Sequence, residues 1–543
     1  MRKRYLILPL LLSASVAFAG GFNSGEGDKD KVSKETKQNW QHLDLEEDGI
    51  PGISANKAYE TILKGKTSKK VTVAIIDSGV DIEHEDLKGL IWTNKNEIPD
   101  NGKDDDGNGY VDDVHGWNYL GHPNGDNIEL ENFEITRLYK RYKTDFEGKK
   151  PSTAEEKEEY KKFKEYEKAY FDRYKETGKI GESTRKTYAK ALEHDAALNE
   201  YFKKSDYSKE ELEELSTSSA EGRYKKAAKF FLNNRALSYY EWKVNWIKTL
   251  YAGYLNVDLN ARDVVGDNPE DLKDTVYGNS DVIATGAEHG THVAGIIGAN
   301  RSNDLGMKGI ADNVEFMVLR CVPDGDERDK DVARAIRYAV DNGAQVMNMS
   351  FGKDFASDQK AVEEAIKYAE DKGIILMIAA GNDSRDLEKK DSYPKTIYMD
   401  GTRPSNVLYV GASSINFDRE LPAIFSNYAQ NKVDFFSPGV DIYSTLPDNK
   451  YRYMSGTSMA TPVAAGAAAV LLSYYPELSG ADVVDILKKS VTTHKGKMVR
   501  KPNPDRKDKK TVDFAELSQT GGIVNLYEAC KLAEQRVKSL SKR

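Results

Sequence analysis

Short apolar runs rich in β-branched residues alternate along the chain with segments of helical periodicity, and this alternation constrains the fold most strongly. Runs that are apolar on both faces are typical of strands buried inside a parallel sheet. Helical segments over residues 331–342 and 358–372 are each followed by a glycine, the residue favoured just past a helix C-terminus. The pattern predicts an α/β fold in which helices cover both faces of a parallel sheet. The predicted strands cover residues 71–76, 314–322, 345–349, 374–380 and 407–411.

One long segment, residues 129–260, breaks this alternation. It is rich in Lys, Glu and Tyr and poor in Pro and Gly, so we expect a helical insertion. Capping boxes are predicted that pair Ser152 with Glu155 and Ser208 with Glu211. Charges of mixed sign favour a solvated surface over the two alternatives, a surface that docks a partner and a lid that restricts a cleft. Aromatic residues at helical spacing, which define one face, are Tyr160, Phe163, Tyr166, Tyr170 and Tyr174.

The N-terminus has the three parts of a secretory signal peptide. Basic residues precede an apolar run, and Ala17-Phe18-Ala19 forms an A-x-A cleavage site. The apolar run is too short for a membrane anchor, which needs ~20 residues. We therefore expect removal of residues 1–19, with residues 20–52 as an N-terminal extension. The mature protein is then extracellular or periplasmic, without stable membrane insertion.

Charge and cysteine content restrict the class of function. A net charge of −9 gives no support to nucleic-acid binding, which requires a basic surface. Cys321 and Cys530 are the only cysteines, so no disulfide framework is predicted. Two buried thiols are favoured over a single disulfide bond between them.

Three short motifs carry the residue types that acyl transfer requires. A serine nucleophile needs a base that removes its proton and a third group that orients this base. Asp77 follows the first predicted strand, where α/β proteins place reactive groups, and His289 begins a helix of small residues. Ser458 precedes an apolar run over residues 463–472 that we expect to pass through the core as a helix. Free N–H groups at the N-terminus of such a helix suit a developing negative charge.

Each motif has a structural alternative when it is considered alone. An aspartate after a strand is common as a helix cap, a His-Gly-Thr-His segment can form a core turn, and Gly-Thr-Ser can be an N-cap. His289 and His292 lie three residues apart, but no third ligand is evident, which disfavours a metal site there. Together and in this order, the motifs favour a catalytic triad of Asp77, His289 and Ser458.

The same three segments resemble the signature blocks of subtilisin-like serine proteases. The resemblance implies a peptidase domain over residues 53–540, interrupted by the helical insertion. It implies a secreted endopeptidase in which Ser458 is the nucleophile, His289 the general base and Asp77 the group that orients it. The matching blocks are Asp77-Ser78-Gly79, His289-Gly290-Thr291-His292-Val293-Ala294-Gly295 and Gly456-Thr457-Ser458-Met459-Ala460-Thr461-Pro462.

The resemblance also assigns roles to two segments that follow predicted strands. It makes the side chain of Asn382 a donor to the oxyanion of the tetrahedral intermediate. It makes residues 350–352 a strand that pairs with the backbone of protein or peptide substrates, with broad specificity. A narrow processing protease and a catalytically silent binding protein stay open as alternatives. The substrate-binding residues implied in this way are Ser350, Phe351, Gly352, Ala379, Ala380 and Gly381.

An acidic loop predicts a structural calcium site. Residues 104–112 place oxygen ligands at the spacing of an EF-hand loop, with glycine at its sixth position. His115 stands where that loop carries its bidentate glutamate, and an acidic turn without metal is the alternative. The family resemblance adds a calcium-binding aspartate, with a partner loop near residues 300–307. The predicted Ca²⁺ ligands are Asp86, Asp104, Asp106, Asn108, Tyr110 and Asp112.

Overall fold

The structure, a computed structural model, describes residues 33–275, 277–505 and 508–542. The predicted signal peptide over residues 1–19 lies outside them. The strands in this part of the chain are β1 (Val71–Asp77), β2 (Gly116–Asn118), β3 (Val314–Arg320), β4 (Val346–Met349), β5 (Ile375–Ala379), β6 (Val407–Ser413), β7 (Phe435–Pro438), β8 (Ile442–Leu446), β9 (Lys450–Met454), β10 (Thr492–Thr493), β11 (Met498–Arg500), β12 (Thr511–Asp513) and β13 (Gly522–Ile523).

Nine of these described strands form one sheet in the order β10-β13-β7-β6-β5-β4-β1-β3-β2. Neighbouring strands are parallel except for β10 with β13. β1 lies between β3 and β4, so that Val73 is in register with both Phe316 and Val346. The predicted α/β fold with a parallel sheet is confirmed. All five predicted strands are present. The short strand β2 and strands β7 to β13 were not predicted, because they lack long apolar runs.

Helices accompany these strands along the chain. The described α-helices are α1 (Lys34–Asn39), α2 (Ala55–Glu60), α3 (Glu134–Phe146), α4 (Ala154–Phe202), α5 (Lys209–Thr217), α6 (Gly222–Asn233), α7 (Leu237–Thr249), α8 (Arg262–Val265), α9 (Glu288–Gly298), α10 (Asp329–Asp341), α11 (Gln359–Asp371), α12 (Thr457–Tyr474), α13 (Gly480–Lys489) and α14 (Leu526–Leu540). Short 3₁₀ turns cover Trp40–His42 and Phe514–Glu516, and a π-helical turn covers Leu250–Tyr254.

The two faces of the sheet bury separate hydrophobic clusters, because side chains alternate along each strand. Val73 and Ile75 of β1 belong to the cluster that contains α9 and α12. Ala74 and Ile76 belong to the cluster that contains α10 and α11. Helices therefore cover both faces, as the sequence predicts. Both cysteines of the chain are buried as free thiols.

Helix α12 passes through the core. Every side chain from Thr457 to Ser473 is buried, so the apolar run has no face turned to solvent. The helix is long and apolar enough to cross a membrane, but 94% of this stretch is buried inside the fold. Its length and composition therefore reflect its place in the core.

Residues Ile135–Leu259 form a compact unit of their own, separate from the unit that contains the sheet. Tyr139 stacks on Tyr170 with ring centroids 4.5 Å apart, so the predicted aromatic face packs within this unit. The capping box at Ser208 is present. The first predicted capping box is displaced by one residue: Thr153 caps α4 with Glu156. The Glu156 carboxylate also accepts hydrogen bonds from the N–H and the hydroxyl of Ser152, which precedes the cap.

Candidate active site

Asp77 and His289 meet at the carboxyl edge of the sheet. Asp77 is the last residue of β1 and only 1% exposed, and His289 lies in the first turn of α9. The Nδ1 atom of His289 lies 2.8 Å from Oδ1 and 3.0 Å from Oδ2 of Asp77. Burial lowers the pKa of His289, but the charge and hydrogen bond of Asp77 outweigh burial, so the pKa lies above its ordinary value. An imidazole held at Nδ1 by a carboxylate presents Nε2 for proton transfer.

Two further residues hold this carboxylate–imidazole pair in place. An ideal Cβ at Gly290 would lie 2.1 Å from the carbonyl oxygen of Gly79, so only glycine allows α9 to approach the loop after β1. Arg320 is 2% exposed and donates from Nε to the Ser78 carbonyl at 3.0 Å and from Nη2 to the Thr285 carbonyl at 3.3 Å. Arg320 therefore ties the loop after β1 to the segment before α9. Sequence reasoning missed this role because an arginine inside an apolar strand carries no motif.

Ser458 is the second residue of α12 and 8% exposed. Its Oγ donates to the Ser350 carbonyl at 2.9 Å, and Ser350 Oγ donates back to the Ser458 carbonyl at 2.9 Å. These bonds tie the start of α12 to the residue that follows β4. In the described part of the chain no hydrogen bond joins Ser458 to His289. The structure thus links Asp77 with His289 and Ser458 with Ser350.

Asn382 is oriented by the first residue of α12. Its Oδ1 accepts hydrogen bonds from the N–H of Thr457 at 2.7 Å and from its hydroxyl at 2.9 Å. Because a backbone N–H can only donate, the amide oxygen must face Thr457 and Nδ2 must face away. An ideal Cβ at Gly456 would lie 3.5 Å from Ser458 N and 3.6 Å from Asn382 Nδ2. Two N–H donors therefore border one small space, which suits a developing oxyanion.

Asn427 shapes the loop that carries Asn382, and sequence reasoning missed it. Its side chain is fully buried. Its Nδ2 donates to the Ala380 carbonyl at 2.9 Å, and its Oδ1 accepts from the N–H groups of Asp383 at 3.0 Å and Arg385 at 2.8 Å. One side chain thus satisfies backbone groups on both sides of Asn382. No spacing rule points to Asn427, since the contact joins segments that are distant in sequence.

The predicted substrate segments continue from the carboxyl ends of β4 and β5, which are neighbouring parallel strands. In the described part of the chain neither Phe351 nor Gly352 makes a backbone hydrogen bond, whereas Lys353 exchanges two with Tyr393, at 3.1 and 2.9 Å. Residues 379–381 lie at the carboxyl end of the neighbouring strand β5. In this part of the chain the backbone groups of Phe351 and Gly352 are therefore without protein partners, whereas the Ser350 carbonyl accepts from Ser458 Oγ.

His292 lies outside this arrangement. Its Nε2 is 2.9 Å from the Arg452 carbonyl, and burial lowers the pKa of His292 to about 3. A neutral, fully buried imidazole bonded to a carbonyl belongs to the core.

Two of the predicted calcium ligands in the acidic loop accept hydrogen bonds from backbone N–H groups of the same loop. The Asp104 carboxylate accepts hydrogen bonds from the N–H groups of residues 107–109. The Asp112 carboxylate accepts from the N–H groups of residues 101–102. Asp106, in contrast, lies within a cluster of carboxylates. Among the described residues, the cluster of carboxylates that includes Asp106 contains neither Asp104 nor Asp112.

Asp86, the calcium ligand implied by the family resemblance, lies elsewhere and is fully buried. Its carboxylate accepts from Asn303 Nδ2 at 2.8 Å, and its carbonyl accepts from the N–H of Asn300 at 3.1 Å. The expected partner loop near residues 300–307 is thus the one in contact with Asp86.

A buried carboxylate–imidazole pair at the carboxyl edge of the sheet, together with a serine at the start of a core helix, is typical of one class of α/β serine hydrolases. Comparison with known proteins identifies the family: the model of the Subtilase family matches residues 68–514, and the chain belongs to this family. The resemblance predicted from the three motif blocks is confirmed.

Individual relatives match over part of their length. The chain is 39% identical over 221 residues to the thermophilic serine proteinase of Bacillus sp. (strain AK1), covering 40% of this chain and 49% of that protein. It is 36% identical over 209 residues to subtilisin DY of Bacillus licheniformis, covering 38% of this chain and 71% of that protein. The chain thus spans about half the length of the first relative (49%). Among solved structures, the prenylagaramide maturation protease PagA shares 29% identity at a TM-score of 0.35, over 45% of this chain and 82% of that one.

Proposed function

We propose that this protein is a serine endopeptidase that cleaves extended polypeptides through an acyl-enzyme on Ser458. The observation that carries the proposal is the 2.8 Å hydrogen bond between His289 Nδ1 and Asp77 at the carboxyl edge of the sheet. The start of α12, which is bonded to the residue after β4, lies at the same edge. Membership in the subtilase family supports the same reaction class.

In the proposed reaction Ser458 Oγ attacks the carbonyl carbon of the scissile peptide while its proton passes to His289 Nε2. Asp77 stabilises the imidazolium that forms, and the N–H groups of Asn382 and Ser458 bind the oxyanion. His289 then gives the proton to the leaving amine, and water repeats the sequence to release the acid. Ser458 Oγ, which donates to Ser350 in the free protein, reaches His289 by side-chain rotation, since catalytic hydrogen bonds often tighten only with substrate bound.

The proposed substrate binds as an added strand along residues 350–352. Support comes from the free backbone groups of Phe351 and Gly352, which offer main-chain hydrogen bonds and no side-chain selection. Broad specificity for unfolded or extended polypeptides follows from this mode of binding.

Fluorophosphonate labelling tests the proposal, because these reagents react only with an activated serine. We expect one label per chain, located on Ser458 by peptide mass spectrometry, and loss of casein hydrolysis in proportion to labelling. Labelling at another serine, or hydrolysis that survives full labelling of Ser458, would contradict the proposal.

The oxyanion donors give a prediction about two asparagines. Asn382→Ala is expected to lower kcat by about 10² to 10³ with little change in KM, as for oxyanion holes of this kind. Asn427→Ala is expected to lower kcat by a smaller factor, because Asn427 acts through the loop that holds Asn382. In the double variant the losses should not multiply. Independent, multiplicative losses would mean that Asn427 does not position Asn382, and a melting curve for each variant controls for unfolding.

We also propose export, with cleavage after Ala19. The basic, apolar and A-x-A pattern of the N-terminus supports it. The full chain can be expressed in a bacterial host, and the protein collected from the periplasm or the culture medium. We expect its intact mass to equal that of a chain that begins at Gly20. A full-length protein confined to the cytosol would speak against export.

A further inference from the structure

We infer that Glu97, Asp106 and Asp113 form a binding site for a divalent cation of the calcium type in the loop between β1 and β2. One carboxylate oxygen from each residue lies within 4.8 Å of the others. Neither Glu97 nor Asp113 belongs to the EF-type set that the spacing of the loop predicts. The site is separate from Asp86 and does not depend on the proposed peptidase activity.

Glu97 presents an oxygen that has no partner. Its side chain is 6% exposed, and Oε1 accepts hydrogen bonds from the N–H groups of Asp105 at 2.9 Å and Asp106 at 3.2 Å. Its Oε2 is buried, and no described residue donates a hydrogen bond to it. Buried polar atoms are nearly always satisfied, so this unpaired oxygen, on a member of the carboxylate cluster, supports a site that binds a ligand.

The charge of the cluster favours a cation. In the described part of the chain the hydrogen-bond partners of these carboxylates are neutral backbone, amide and hydroxyl groups. Asn94 Nδ2, for example, bridges Asp106 and Asp113 at 3.0 Å to each. Amide groups orient the carboxylates but do not neutralise them, and three like charges at this separation repel each other strongly when two are buried.

The donor set selects the class of cation. Carboxylate oxygens suit hard cations such as Ca²⁺ and Mg²⁺, whereas Zn²⁺ favours nitrogen and sulfur. Calcium accepts six to eight oxygens in irregular geometry, and magnesium demands a near-ideal octahedron. Glu97 and Asp113 are buried while Asp106 is exposed, so the cluster has one side open to water molecules that complete an irregular shell. Calcium therefore fits better than magnesium.

A cation here would fasten the acidic loop to the covered sheet. Asp113 lies just before β2 and accepts a hydrogen bond from the hydroxyl of Tyr338 in α10 at 2.5 Å. Glu97 holds the opposite end of the loop through its bonds to Asp105 and Asp106. Binding would thus join both ends of the loop, and a cation that binds only the folded protein raises its melting temperature.

The variant Glu97→Gln tests the inference with the least structural damage. Glutamine keeps the acceptor at Oε1, and its amide replaces an oxygen that makes no hydrogen bond. In chelator we expect a melting temperature at or above that of the parent, because one repelling charge is gone. In calcium we expect one bound ion fewer per chain, or an affinity at this site at least about tenfold weaker, and a smaller rise in melting temperature.

Ion content by mass spectrometry and calcium titration calorimetry give these readouts. Both use the full chain with Ser458→Ala, which prevents self-digestion. Asp113→Asn, a second removal of a ligand charge, should show the same loss of bound calcium, but with a lower melting temperature in chelator, because both oxygens of Asp113 accept hydrogen bonds. Glu60→Gln removes a charge from the exposed end of α2 and should match the parent. The inference would be overturned if Glu97→Gln bound as many calcium ions as the parent and showed the same rise in melting temperature. It would also be overturned if Asp86→Asn abolished all calcium binding of the parent.

Discussion

Replacing Ser458 with alanine is expected to lower kcat for peptide hydrolysis by about 10⁶, a loss typical of removing a triad nucleophile. The alanine has no oxygen to attack the peptide carbonyl, so only oxyanion stabilisation and substrate binding continue to accelerate attack by water. Substrate affinity should change little, because the side-chain N–H of Asn382 and the backbone N–H of residue 458 remain. The fold should persist, since the variant loses a single hydrogen bond, to the Ser350 carbonyl.

Initial rates with a fluorogenic peptide measure this loss, and inhibitor binding shows whether the substrate site is intact. Ser455→Ala is the matched control. Ser455 lies three residues earlier and exchanges hydrogen bonds with Asp441 at 2.8 and 3.1 Å, away from the proposed reaction. Its rate should stay near that of the parent. A Ser458→Ala protein that keeps more than ~1% of the parent kcat would assign the nucleophile to another residue.

Asp77→Asn is expected to lower kcat by about 10⁴. An amide at this position offers one oxygen and one N–H group to His289 where the carboxylate offers two acceptors at 2.8 and 3.0 Å. The amide N–H favours the imidazole tautomer that carries its proton on Nε2, and that tautomer cannot accept the proton of Ser458. The loss should therefore appear in kcat more than in KM.

The same variant should also move the pH profile. His289 must be neutral to act as a base, so activity rises with pH through its pKa. The charge and hydrogen bond of Asp77 raise the pKa of His289, and their removal should lower it. The acidic limb of kcat/KM is then expected at lower pH in Asp77→Asn than in the parent. Asp81→Asn, which removes a nearby carboxylate bonded to the N–H groups of Glu83 and Asp448, should leave the limb in place. A limb that does not move in Asp77→Asn would show that the carboxylate does not set the pKa.

The residues of the site could be predicted from the sequence to different degrees. Asp77 was predictable because a strand end is a local signal, and β1 does end at this residue. Ser458 was predictable because the apolar run after it indicates a buried helix, and α12 begins at Thr457. Asn382 was assigned only through the family resemblance, since an asparagine after a strand is common in turns. Its orientation by Thr457 is a tertiary contact.

The sequence by itself determined the alternation of strands and helices, the class of fold and the three motif blocks, because periodicity and short motifs are local properties. Only the tertiary structure decided which groups face each other across large separations in sequence. Asn427 reaches the loop of Asn382, and Arg320 holds the loop after β1, through contacts that no spacing encodes. The acidic loop illustrates the same limit. Asp104 satisfies the N–H groups of its own turn, whereas Glu97 and Asp113 meet Asp106 only after the loop folds back on itself.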